Sequence, residues 1–278
     1  LLLHPALPGK ITDIVVEFGN SLYQDLADRF ILDGEPVANA DLARIWRATA
    51  DPLWDAPVFE QFYRTVRALN WMLPSRRRIR VLLGLPPFDP NRVRGPADKA
   101  YLDAYEPQYD AHIAAVAERE VLARGRKALL IAGGGHMLRG LHADQQPHLL
   151  NAGSLLARRY PGALFVIDTL SVSSAPATDP RVQRVQRTLA AWPRPAVASL
   201  GGTWLGAITE SLAGGEINWG AGRAMTPADA RYEAQTDAVM YLGPAEILTA
   251  SRPDPAIYHW GAYPAALHRL SRVIAQLE

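Results

Sequence analysis

The sequence predicts an α/β fold: a mainly parallel β-sheet flanked by helices, with a less regular C-terminal region. Three observations carry this expectation. Short β-branched apolar runs recur along the chain, each the length of a strand buried on both faces. Between them lie segments whose apolar residues fall at helical spacing. The two kinds of segment alternate, which places successive strands parallel with helices packed across them.

The first strand is predicted at residues 11–18 (ITDIVVEF), ended by Gly19. A helix follows over 21–31, with Leu22, Leu26 and Phe30 on one stripe. Further helices are expected at 41–48 and 58–72, the second striped by Phe59, Phe62, Val66 and Leu69 and closed by Pro74. Residues 78–85 (RIRVLLGL) form the next strand, stopped by Pro86-Pro87. A long helical stretch at 97–124 is interrupted near Pro107. Residues 127–132 (KALLIA) are a strand running into Gly133-Gly134-Gly135. Then come a helix at 149–159, a strand at 163–167 ending at Asp168, and a helix at 182–190. Strands at 195–200 and 238–242 and a terminal helix at 262–277 complete the series. No repeat or long linker divides the chain, so one domain over 1–278 is expected, with an appended lobe at about 193–251.

Composition narrows the function. The 278 residues are 49% hydrophobic and 21% charged, enough apolar content for a sizeable core. Lys+Arg of 29 against Asp+Glu of 28 leaves a net charge of +1, which argues against nucleic-acid binding through bulk charge. The partner expected is a small-molecule ligand or substrate. Cysteine is absent, which excludes disulfides, thiolate catalysis and Cys-type zinc or iron–sulfur sites. No run reaches the roughly 20 apolar residues of a membrane helix. The chain opens at Leu1 without an initiator Met, so a processed chain or fragment is expected, and periplasmic, secreted and cytoplasmic locations all stay open. P-loop, GxGxxG, GxSxG and HExxH motifs are all missing.

In open parallel sheets, ligands bind beyond the carboxyl ends of the strands. Those ends are expected to carry Glu17, Asp89, His136 and Asp168. Glu17 follows the apolar Ile14-Val15-Val16, where a carboxylate is costly to bury. It reads as a metal ligand or a general base, or else as a capping or Arg-paired residue. His136 follows three glycines, which permit a sharp turn, so Gly134 or Gly135 is expected at positive φ. There His136 reads as base, nucleophile or metal ligand, or as a C-cap residue. Arg139, three residues on, would clamp an anion or be solvated. Asp89 sits among three prolines as a site residue or equally a turn residue, whereas Asp168 fits a turn or helix start better than a site. Glu17, Asp89 and His136 are expected to converge on one pocket. Arg76-Arg77-Arg78 reads as a solvated strand start, and His112 and His259 as surface or packing residues.

Four segments carry a resemblance: Val15-Val16-Glu17-Phe18-Gly19-Asn20, Val66-Arg67-Ala68-Leu69-Asn70, RVLLGLPPFD at 80–89, and LLIAGGGH at 129–136. With Tyr241-Leu242-Gly243-Pro244 they resemble a bacterial branch of the superfamily that groups erythromycin esterase-like hydrolases, ChaN-type haem-binding proteins and TraB/Tiki proteins. Gly133-x-x-His136 is similar to the second Gly-x-x-His motif of the Tiki type. The resemblance implies a hydrolase, with or without metal assistance, with a pocket at the strand ends. Glu17, His136 and Asp89 would be catalytic, and Arg67, Asn70, Arg139 and Asn20 would bind substrate. A divalent metal would be held by His136 and Glu17. The alternative is a ChaN-type protein that binds haem or another iron ligand, meeting it with His136, Met137 or a Tyr, without catalysis. Two motifs of such proteins are missing from this chain: an upstream Gly-Glu-x-His, and the Arg of an Arg-Asp pair at Asp110.

Overall fold

A computed structural model describes residues 2–50, 53–139, 150–170, 178, 180–208, 231–244, 247–259 and 261–275. It bears out the α/β class. The chain divides into two compact units, Leu1–Ala132 with Ser251–Glu278, and Gly133–Ala250. The division falls at the triple glycine, well before the lobe expected at about 193–251.

In the first unit three strands form a parallel sheet of order β2-β1-β3. They are β1 (Asp13–Asn20), β2 (Arg80–Leu85) and β3 (Ala128–Ile131). The central β1 is buried along its whole length, as its β-branched run requires. One face packs on α1 (Gln24–Asp28), α2 (Asn39–Arg47) and α3 (Pro57–Trp71), through Ile14, Val16, Phe18, Trp46, Tyr63 and Leu83. Phe18 centres an aromatic cluster with Trp54, Phe59, Phe62 and Tyr63. Beyond α4 (Lys99–Asp103), α5 (Tyr109–Glu120) packs against β2. Gly84 makes that fit: a Cβ there would lie 2.7 Å from the Val16 carbonyl oxygen and 3.3 Å from Ile113.

The second unit begins with α6 (Gly134–Met137) and α7 (Ala152–Arg159). Its strands β4 (Ile167–Leu170), β5 (Ala196–Ser199) and β6 (Ala238–Tyr241) form a mixed sheet of order β4-β6-β5. β4 runs parallel to β6, and β5 antiparallel. Leu170, Val185, Leu189, Leu200, Leu205, Tyr232, Val239 and Tyr241 form its core. Val185 and Leu189 come from α8 (Pro180–Ala190), Leu205 from α9 (Trp204–Ala207) and Tyr232 from α10 (Tyr232–Gln235). The chain then returns to the first unit as α11 (Tyr263–Ile274), whose Leu270 and Val273 pack with Leu85, Phe88 and Tyr105.

Three local expectations are corrected. The helix expected at 21–31 is a 3-10 turn (Ser21–Tyr23), a short α1 and a π turn (Arg29–Asp33), closed by Gly34 at φ +74°. The strand expected at 163–167 starts instead at Ile167, because register with Ala238 begins there. Asp168 therefore lies inside the strand and not past its end. Neither Gly134 nor Gly135 adopts positive φ: both lie in α6, and the preceding Gly133 is at φ −58°. A helical turn closed by His136 N–H to the Gly133 carbonyl needs no left-handed residue.

Candidate functional site

The carboxyl edge of the first sheet follows from unequal strand lengths. β3 pairs with β1 only from Asp13 to Val16, and the β1–β2 register slips between Val16 and Asn20. Glu17 is thus the first residue of β1 beyond the reach of β3. It is only 8% exposed. A carboxylate at the free edge of a parallel sheet, shielded from bulk water, is the position from which such folds do chemistry.

His112 belongs to the same edge. Its Nδ1 lies 2.8 Å from the Gly84 carbonyl oxygen. A carbonyl only accepts, so Nδ1 carries the proton and Nε2 keeps its lone pair in the neutral ring. Burial, ahead of its other influences, lowers the pKa from the ordinary histidine value, which favours that neutral form. The half-buried ring is consistent with the packing alternative read from the sequence, which did not give its contact with this edge. Its place one turn after Tyr109 and beside the buried Ile113 is the signal that could have found it.

Several expected site residues, Asn20, Asn70 and Arg67 among the substrate binders and Asp89 among the catalytic ones, make hydrogen bonds within the scaffold. Asn20 is fully buried: its Nδ2 donates to the carbonyls of Ala48 (2.5 Å) and Phe88 (2.7 Å), and its Oδ1 accepts from Leu22 and Phe88 N–H. Asn70 clips α3 to the start of β2, donating to the Ile31 and Ile79 carbonyls and accepting from Ile79 N–H. Arg67 donates to the carbonyls of Phe30, Gly34 and Glu35 and lies over the Phe30 ring, so its guanidinium caps the π turn. Asp89 caps the turn after β2: its Oδ1 accepts from the backbone and side-chain nitrogens of Asn91, and its own N–H donates to the Tyr101 hydroxyl.

His136 belongs to the second unit, in the half-buried turn α6. Asn151 holds that turn by donating to the Gly135 and Leu138 carbonyls while capping α7. Gly153 lets α7 meet it, since a Cβ there would run into the Met137 backbone. Asp168 lies 3.6 Å from where a Gly134 Cβ would be and accepts from the Tyr232 hydroxyl at 2.5 Å. Burial raises its pKa, opposed by the Tyr232 bond. Arg139 pairs with Asp237 at 2.9 Å, and Asp237 in turn accepts from Val166 N–H. Here too an arginine expected at the substrate is engaged within the protein.

Among the described residues, no three His, Asp or Glu side chains form a group fit to hold a metal ion. Glu17 and His136 belong to different units, and among the described residues neither stands in such a group. His136 and Met137 are consecutive in one helical turn, and would be the residues there to meet a haem. No helix among the described residues is long and apolar enough to cross a membrane.

The fold and this edge define an α/β protein whose first unit is built on a parallel sheet. No protein-family model matches the sequence, and no curated protein matches it. The crystal structure of a protein from Bacillus cereus is similar to this chain, with a TM-score of 0.54 at 11% identity, over 86% of this chain and 82% of that one. At that identity the likeness shows the fold alone.

Proposed function

We propose that this chain is a hydrolase of the erythromycin esterase-like or Tiki type, with the ChaN/erythromycin esterase-like variant of the α/β fold. Its general base is Glu17. The observation that supports this reading is the shielded Glu17 carboxylate, placed where β1 outruns β3. Glu17 takes a proton from water, and the hydroxide adds to an ester carbonyl carbon. Collapse of the adduct breaks the C–O bond, and the proton passes from Glu17 to the departing alkoxide. His112, neutral with its lone pair on Nε2, is a second proton acceptor at the same edge.

Turnover of p-nitrophenyl acetate and butyrate by the full chain tests this. Glu17→Gln keeps the side chain's shape and should lower kcat/KM by about 100-fold or more, the usual worth of a general base, with the melting temperature nearly unchanged. His136→Ala, measured beside it, should lower turnover and not stability if the resemblance assigns that residue correctly. Equal rates for wild type and Glu17→Gln would overturn the reading. A Soret band on adding haem, kept in Glu17→Gln and lost in His136→Ala, would favour the haem-binding alternative.

A further inference from the structure

One surface of the second unit gathers arginines that the fold itself leaves unused. Residues 180–208 contain four arginines and no Asp or Glu. Val185 and Leu189 turn one side of α8 into the core, which leaves Arg184 and Arg187 exposed on the helix. Arg194, also exposed, lies between α8 and β5. Among the described residues Arg187 and Arg194 meet no hydrogen-bond or ion-pair partner, and Arg184 has only the face of Trp204, 4.4 Å from its guanidinium carbon. In the first unit, by contrast, Arg64, Arg80 and Arg126 each face a carboxylate. Glu233, beside the loop that leads to Trp204, is engaged with Gly202 N–H and Arg231.

Apolar side chains lie exposed beside this charge. β5 pairs with β6 so that Ala196 stands opposite Tyr241, which brings Arg194 alongside the end of β6. Trp192 packs edge-on against Tyr241, with ring centres 6.3 Å apart. A Cβ at Gly243 would lie 3.4 Å from Arg194 Cδ and 2.6 Å from Ile247, so those two side chains approach each other over that glycine. Leu242 is 39% exposed, Ile247 54% and Leu248 42%. Glu246, in the same segment, lies outside the described residues. An exposed arginine alone is ordinary, because water hydrates it. Aliphatic side chains grouped in the open beside several unpaired cations are not, and they mark a surface of contact.

We propose that this surface, formed by Arg184, Arg187 and Arg194 with Trp192, Leu242 and Ile247, docks the second unit on a membrane of anionic lipids. Guanidinium forks match the phosphate oxygens of the headgroups. The aliphatic side chains enter the boundary between headgroups and acyl chains, where an indole is also at home. A nucleic acid would answer the arginines but has no apolar layer to take Leu242 and Ile247. The docking is peripheral and needs no membrane-crossing helix. It is independent of the hydrolase reading, since no residue of the first unit enters it.

Co-sedimentation of the full chain with lipid vesicles tests the proposal. Vesicles of equimolar phosphatidylcholine and phosphatidylglycerol should carry the protein down, and vesicles of phosphatidylcholine alone should not. Arg187→Gln/Arg194→Gln removes two exposed charges without touching the core and should weaken binding about tenfold or more, since each cation near an anionic surface contributes roughly fivefold. Ile247→Gln leaves the charge unchanged and should weaken binding too. Added salt should release the wild type, a readout that needs no variant. No binding to the anionic vesicles, equal binding to both kinds, binding indifferent to salt, or wild-type affinity in either variant would each overturn it. Binding to a duplex oligonucleotide in place of the vesicles would also overturn it and assign the surface to nucleic acid.

Discussion

Buried asparagines do at single positions what longer contacts do elsewhere. Asn70 satisfies Ile79 on both its backbone groups and reaches Ile31 as well, from a side chain 1% exposed. Asn70→Ala strands the Ile79 N–H and carbonyl in the core and should cost about 1–3 kcal/mol for an unmet buried group. Urea unfolding will show it as a lower midpoint with an unchanged slope. His112 allows a second residue-scale test, through pH. Its folded pKa lies below the unfolded value of 6.5, so the unfolded chain binds the proton first. Stability is therefore complete above pH 6.5 and falls as the pH drops from there toward the folded pKa. In His112→Asn the amide nitrogen stands in for Nδ1 against Gly84, and the dependence in that window should flatten. Midpoints measured from pH 8 to pH 5 check it, and identical slopes for both proteins would contradict the assignment.

Two glycines separate a packing requirement from a conformational one at the level of elements. Gly84 sits where α5 crosses the end of β2, and a Cβ would stand 2.7 Å from the Val16 oxygen, a backbone atom that cannot swing away. Gly84→Ala should therefore destabilise by about 1–3 kcal/mol, as overpacking does. Gly134 looks more constrained in the sequence, being the middle of three glycines, yet a Cβ there meets nothing closer than 3.6 Å. It lies in a helical turn, where alanine is better than glycine by about 0.5–1 kcal/mol. Gly134→Ala should leave stability unchanged or raise it. Thermal unfolding of the two variants side by side should shift in opposite directions or leave Gly134→Ala at the wild-type value.

On the scale of the whole molecule, the first unit is assembled from distant parts of the chain. Asp55 receives its tyrosines from 203 and 208 residues further on, and α11 seals the core beside β2 and Phe88. At the amino edge of the sheet, Arg80 bridges Asp28 and Glu120, while Arg126 answers the fully buried Asp13. Charge at that edge is thus handled by paired groups. Tyr258→Phe and Tyr263→Phe each remove one hydroxyl from Asp55 and should loosen the returning segment. Hydrogen exchange at residues 251–263 should speed up, with β1 unaffected.

The sequence by itself determined the alternation of strands and helices, because side-chain periodicity and β-branched runs are local properties. β1, α3 and β2 fall within two residues of where residues 11–18, 58–72 and 78–85 were expected. It also singled out Glu17, because a charge after three apolar strand residues is unusual whatever the fold. Only tertiary structure decided which polar residues were already engaged. Arg67, Asn70, Asn20 and Asp89 look like site residues in one dimension, and backbone groups up to 68 residues away claim Asn20, Arg67 and Asn70. His112 gains its meaning from the Gly84 carbonyl that its Nδ1 meets, a contact 28 residues away in the chain. Hydrogen-bond satisfaction is a property of the folded neighbourhood, whereas periodicity is a property of the chain.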